Sequence, residues 1–181
     1  MDREILFRGI SKETKAMVYG AHFTLHHDDQ RTHIHHFIIP ENTPIPKEKP
    51  IGEIQIEVDP ATVGQFTGVY DGTKWEELSQ QEKDRWLKKH SVKEWNGRRI
   101  FEGDIVKTHY ANAVKSDFVE TVVFHNGRFC ANSNISETGQ WWTSLADGVP
   151  HVSFDKSVYM ESCKVIGNIH DNPELLKEVT E

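Results

Sequence analysis

The chain has 181 residues, 36% hydrophobic and 10% aromatic, enough to bury a core and long enough to divide between two small modules. Its net charge of −7, from 28 acidic and 21 basic residues, argues against nonspecific binding to a phosphate backbone, because such affinity comes from many Lys and Arg releasing counterions. Cys130 and Cys163 lack CxxC or zinc spacing, the start Met-Asp-Arg-Glu is unlike a secretory signal, and no apolar run reaches the roughly 18–20 residues of a membrane span, which together predict a soluble cytoplasmic protein.

Residues 17–25 and 33–39 are apolar and β-prone, and His27-Asp28-Asp29-Gln30 reads as the turn of a hairpin between them. Four of the seven prolines, Pro40, Pro44, Pro46 and Pro50, follow in residues 40–50 and predict an extended loop. Residues 51–58 (IGEIQIEV) alternate apolar and charged positions, the pattern of a half-buried strand. Asp59-Pro60 is a helix-start signal in which the carboxylate is placed to accept the N–H of Thr62, and one turn is all that can follow. Gly64 and Gly68 interrupt the apolar Val63, Phe66 and Val69, which predicts a short bent strand, and Asp71-Gly72 closes it as a turn.

Ser79 and Glu82 then make an S-x-x-E capping box, opening a helix over residues 80–90 that ends in Lys88, Lys89 and His90. Trp75, Leu78, Trp86, Leu87, Val92 and Trp95 form only a narrow apolar stripe, so this helix is expected to lie across a β module rather than inside one. Asn96-Gly97 is a turn dipeptide, Ile100-Phe101 an apolar anchor, and Glu102-Gly103-Asp104 a tight turn feeding a strand over residues 105–109. Residues 119–124 and the strand from Arg128 flank the hairpin turn His125-Asn126-Gly127. Residues 132–138 read as a polar loop, 160–169 as a late strand, and Asn172-Pro173 as the start of a short final helix over 173–179.

Five phrases in this order carry a family resemblance: residues 3–9 (REILFRG), 18–20 (VYG), 59–68 (DPATVGQFTG), 96–106 (NGRRIFEGDIV) and 165–176 (VIGNIHDNPELL). The chain resembles the YopX-like family of phage and prophage proteins nearly end to end. The resemblance implies SH3-like β-barrel modules and a phage origin, with no established activity to transfer. In that family the third and fourth phrases are joined by a few residues, whereas here residues 73–94 intervene; the His-rich stretch from His22 to His36 also lies outside the pattern. The expected organisation is an N-terminal β module (1–72), a helical insertion (73–94) and a C-terminal SH3-like β module (95–181). The insertion holds six Lys/Arg against five Asp/Glu, a net of +1, while each flank carries −4.

Candidate chemistry is sparse. His22, His26, His33 and His35 fall on two strands expected to pair, and residues on one face of such a pair can ligate a transition metal; an exposed polar face needs no ligand, and no metal or other cofactor is expected. Glu102 and Asp104 suit solvent or nearby backbone N–H groups better than general acid–base work. No G-x-S-x-G, P-loop or HExxH is present, both cysteines read as small buried hydrophobes, and Arg98-Arg99 reads as a solvated pair. Adjacent Trp141 and Trp142 point to opposite faces of a strand, leaving one indole available to a peptide or a base. With Trp75 and Trp86 they are the candidate binding residues.

These features describe a mainly β, non-enzymatic accessory protein that binds a protein partner or self-associates in the bacterial host cytoplasm, without membrane attachment. The alternatives are a nucleic-acid-binding small barrel and a metal-dependent enzyme built on the His-rich hairpin. Basic residues do not interleave with aromatics over any long stretch, so fluorescence anisotropy with single-stranded and duplex oligonucleotides should show weak or no binding near physiological salt. Submicromolar affinity there would reverse the ordering and make Trp141, Trp142, Arg98 and Arg99 the contact candidates.

Overall fold

The structure is a computed structural model that describes residues 5–26, 34–41, 43–44, 51–88, 90–113, 117–135, 139–146 and 158–176. The chain divides into two compact units, Met1–Gly68 and Val69–Glu181. The protein is mainly β, with two antiparallel sheets and, among the described residues, one α-helix of eight residues.

In the first unit the strands β1 (Phe7–Ile10), β2 (Met17–His26), β3 (Ile34–Pro40), β4 (Ile56–Val58) and β5 (Gly64–Tyr70) lie in the order β4-β3-β2-β1-β5. The β2–β3 hairpin is in register from Gly20↔Pro40 to His26↔Ile34. A Cβ on Gly20 would stand 1.8 Å from the carbonyl oxygen of Ile39, so the close approach of these backbones admits glycine alone. Leu6, Ile38, Val58 and Phe66 form the buried apolar set of this unit. A bridge between Ser11 and Val58, with Asp59 N–H donating to Ile10 O at 2.9 Å, curls the edge strand β4 back against the end of β1.

The alternating segment 51–58 is a strand only over Ile56–Val58, and Ile51–Glu53 forms a 3-10 turn instead. Ile56 pairs with Ile38 on β3, so two positions earlier the ladder would meet Pro40, which has no N–H to donate. The Asp59 cap also differs in detail. Its Oδ1 accepts from Ala61 N at 3.0 Å, while Thr62 N donates to Asp59 O, and the turn is 3-10 rather than α. The expected His27–Gln30 turn, and most of the proline-rich stretch, lie outside the described residues.

In the second unit β6 (Arg99–Phe101) follows the end of β5, and β7 (Asp104–Ala111), β8 (Asp117–His125), β9 (Arg128–Ile135), β10 (Gly139–Ser144) and β11 (Tyr159–Asn168) form a sheet in the order β10-β9-β8-β7-β11. The α-helix α1 (Gln80–Leu87) precedes them, shorter than the sequence pattern, with none of its residues buried. Asn126 and Gly127 both take positive φ, 47° and 82°, as a tight two-residue hairpin between β8 and β9 requires. At the chain's close, Pro173–Leu176 forms a 3-10 turn where a helix to residue 179 is expected; residues beyond 176 are outside the described set.

The apolar core of this unit gathers Ile100, Val106, Val122, Phe129, Ala131 and Leu145, with Val69, Met160, Cys163 and Val165 packed against it. The same sheet face is polar farther along. Glu120, 1% exposed, accepts from Thr108 Oγ1 at 2.5 Å, and the Tyr110 hydroxyl lies 2.8 Å from both Glu120 Oε2 and Thr143 Oγ1. Ser133 also bonds the Glu120 carboxyl. This explains why residues 132–138 resemble a loop: β9 in fact continues through Ile135, and its polar Ser133 faces a polar interior.

Burial raises the Glu120 pKa against the lowering effect of its three hydroxyl partners. As pH rises above the ordinary carboxylate range, the unfolded chain releases this proton before the folded protein does, so stability falls until the folded group ionises. Glu120→Gln removes that slope. Thermal melts of the two proteins should diverge in favour of the variant as pH rises above the ordinary carboxylate range, and a pH-independent difference would contradict this account.

Candidate functional site

Asp71 follows β5 and is 4% exposed, an expensive place for a carboxylate unless donors surround it. Four do. Its Oδ1 accepts from Thr73 N at 3.0 Å and Arg98 N at 2.8 Å, and its Oδ2 from Thr73 Oγ1 at 2.8 Å and Val165 N at 3.1 Å. The backbone reinforces the junction, with Asp71 N donating to Arg98 O at 2.8 Å and Gly72 N to Cys163 O at 3.1 Å. Gly97 adopts φ +106°, and a Cβ there would stand 2.1 Å from Asp71 O, so the turn before β6 is closed to side chains.

From this node the segment 73–94 departs and returns. Ser79 and Glu82 complete the capping box at the start of α1, and Ser91 with Glu94 builds a second one. Glu82 also receives Arg98, at 2.9 Å from Nη2 and 3.2 Å from Nε. Burial works to raise the Glu82 pKa, but Ser79 and Arg98 outweigh it and hold the carboxyl at about 2. Lys164 on β11 pairs with Glu77 at 2.5 Å.

The segment's indoles pack on one another. Trp95 meets Trp75 edge-on at 6.0 Å and Trp86 at 5.0 Å, while Trp86 stacks on His90 at 4.2 Å. Trp95 Nε1 donates to Thr73 O and Trp86 Nε1 to Ser91 O, both at 2.9 Å, which locks the two rings. Between them and the node opens a shallow cleft of about 380 Å³, its walls including Thr73, Lys74, Trp75, Val92, Trp95 and Asn96.

A family described as "YopX protein" matches residues 72–177, more than half of the chain. The chain belongs to the YopX family. The matched stretch takes in the node from Gly72 onward, the cleft and the whole of the second sheet. Among solved structures, "Crystal structure of protein EF1440 from Enterococcus faecalis" is similar, at 22% identity over 97% of this chain and 99% of that one, with a TM-score of 0.42. No curated protein matches.

In this YopX-family chain the four candidate binding residues do not converge. Trp75 lines the cleft, and Trp86 supports it from behind through Trp95. Trp142, on β10, stacks on His125 at 3.9 Å and 9°, and the side chain of Trp141 lies outside the described residues. The His-rich hairpin splits between two faces. His22 Nε2 lies 3.0 Å from His36 Nδ1, whereas His35 is on the opposite face and meets Glu57 at 2.9 Å. His33 is outside the described residues, and among the described ones no three His, Cys, Asp or Glu side chains converge as metal ligands. Burial, then the neighbouring Asp71, Glu120 and Asp104, push the Cys163 thiol up to about 12, and Asp104 caps Phe101 N at 2.7 Å.

Arg98 is not a solvated member of a pair, because Glu82 and the node hold it. Asp71 and Glu120 are the structural residues hardest to see in the sequence, yet each left a signal. Asp71 precedes Gly72-Thr73 at the spacing of an Asx turn, and Phe118, Glu120 and Val122 share one parity, placing Glu120 between two apolar residues on the face that turns inward there.

Asp71→Ala strands three backbone donors and the Thr73 hydroxyl, and should destabilise the fold by about 3–5 kcal/mol. Glu82→Ala, which removes a half-exposed cap and ion pair, should cost only about 1 kcal/mol. Urea denaturation of the two variants checks this order, and equal losses would contradict the central role of Asp71.

Proposed function

We propose that this YopX-family chain is a phage or prophage accessory protein that works without catalysis in the bacterial cytoplasm, binding a protein partner or another copy of itself through the Trp75–Trp95 cleft. One observation carries the reading. A segment whose helix buries none of its own residues nonetheless fixes three indoles beside an open cleft, and large rigid aromatics presented at a surface are what protein contacts use most.

The fold is read as two small SH3-like modules. The curl that brings Ser11, just past β1, against Val58 of β4 supports this for the first unit, and the five-stranded antiparallel ladder for the second. The non-enzymatic reading is supported by how the reactive groups are used: the Cys163 thiol is held far from ionisation, Asp104 caps a backbone N–H, and Glu120 is enclosed by hydroxyls. Among the described residues no helix is long and apolar enough to cross a membrane.

Replacing residues 74–93 with a short Gly-Ser bridge tests the proposal. The deletion leaves Asp71 with Thr73, Arg98 N and Val165 N, so the second sheet should stay folded by circular dichroism and thermal melting. Oligomeric state or partner capture should change. Global unfolding would show that the segment is structural, and an unaltered interaction profile would remove the cleft from consideration.

A further inference from the structure

The β2–β3 hairpin changes character along its length. Near Gly20 it lies within a sheet, with β1 paired to residues 17–20 of β2 and β4 to residues 36–38 of β3. Farther out, among the described residues, 21–26 of β2 pair with β3 alone, and Ile34 and His35 of β3 with β2 alone. A two-stranded ribbon is marginal in water, so whatever fastens this end decides whether it stays formed.

On one face the fastening is a pair of imidazoles. His22 and His36 sit diagonally across the ladder, His22 opposite Ile38 and His36 opposite Thr24, on the face that also holds the buried Ile38 and Val58. His22 Nε2 lies 3.0 Å from His36 Nδ1 while the ring centroids stand 5.2 Å apart, close to the largest separation such a contact permits. The two nitrogens therefore meet head-on and share a proton, whereas a chelated cation needs lone pairs that converge. Phe7 of β1 packs on His22 from the side. Two neutral rings, or one neutral and one protonated, keep the bond, because one nitrogen donates and the other accepts. Two protonated rings lose it. Burial, then the neighbouring His36, lower the His22 pKa, so the closed pair binds fewer protons than the opened one and acid favours opening.

Nothing on that face opposes this. Among the described residues of β1 to β4, the other titratable side chain there is the exposed His26, which adds positive charge as pH falls. Arg8, Tyr19, His35 and Glu57 belong to the opposite face, where Lys12 also reaches Glu57. Lys12 and then His35 hold the Glu57 carboxyl below its ordinary range, so it is ionised wherever histidine titrates. His35 Nδ1 lies 2.9 Å from it, and a proton on His35 turns that contact into an ion pair. Acid releases one face of the ribbon and tightens the other. We propose that the His22–His36 pair is an acid-released latch, its second proton freeing residues 21–26 from the buried face of the first sheet while His35 and Glu57 keep β3 tied to β4. The device involves neither the cleft nor residues 73–94.

Amide hydrogen exchange of the intact protein, read by mass spectrometry from about pH 8 to about pH 5 and corrected for intrinsic rates, tests this. Protection of residues 21–26 should fall by up to about tenfold per pH unit below the ordinary histidine pKa of 6.5, the slope of a one-proton difference, while residues 7–10 and 17–20 keep theirs. In His36→Asn, whose amide still bonds His22 but takes no proton, the fall should flatten. His22→Gln should do the same from the other strand and stands in if the first variant fails to fold. By NMR, the His22 ring should take its proton below the ordinary histidine range in the wild type, and its midpoint should rise in His36→Asn.

Protection of residues 21–26 that ignores pH in the wild type overturns the proposal, as does an equal fall in the wild type and both variants. So does a fall that spreads to residues 7–10, which is unfolding of the unit rather than release of its ribbon. Should neither variant fold, the regional pattern in the wild type decides alone.

Discussion

The second unit depends on a single carboxylate. Asp71 is buried at the end of β5, and its two oxygens collect donors from the start of the insertion, the approach to β6 and the middle of β11. Three of the four donors are backbone N–H groups, which have fixed directions and no other partner to choose. A buried charge is tolerated only when satisfied in this way, and once satisfied it holds each contributing segment to one geometry. The glycine at residue 97 belongs to the same constraint, since the chain returns so close to Asp71 that a side chain has no room.

Glu120 is the opposite design. Its partners are hydroxyls of Thr108, Tyr110 and Ser133, which rotate and can serve a protonated or an ionised carboxyl. Fixed amides around Asp71 specify a conformation, whereas rotors around Glu120 accommodate a proton. Cys163 lies within the electrostatic reach of both groups and of Asp104, which is why its thiol is so hard to ionise. Glu120 and its hydroxyl partners also give the sheet face a polar half beside its apolar one. A strand slip by a single residue would bury neither properly, so the register is doubly specified.

Much of this was legible in the chain. The capping box at Ser79, the Asn126-Gly127 hairpin and the late strand through Val165 follow local rules that operate within a few residues, and the structure has all three. What local rules miss is the partner across the fold. Arg98 is an unremarkable surface residue until Glu82, sixteen positions away, is folded beneath it. Residues 51–58 alternate as a strand should, but the ladder they would extend runs out at a proline on the neighbouring strand. Ser133 looks like loop composition because the interior it faces is itself polar. Of the candidate binding residues, the pattern located Trp75 and Trp86 in one cluster; their link through Trp95 is a matter of ring geometry that spacing does not state.

The two capping boxes have a further consequence. Both are closed within the insertion, Ser79 with Glu82 and Ser91 with Glu94, so each end of the segment terminates its own backbone without borrowing from the sheet. Its attachments to the surrounding framework are Thr73 on Asp71, the buried Leu78, and the ion pairs of Arg98 with Glu82 and Lys164 with Glu77. A segment built like this behaves as a cassette. Because it leaves and re-enters at the Asp71 turn, between β5 and β6, a change in its length falls outside every strand ladder and alters what the surface presents rather than the pairing of the sheet.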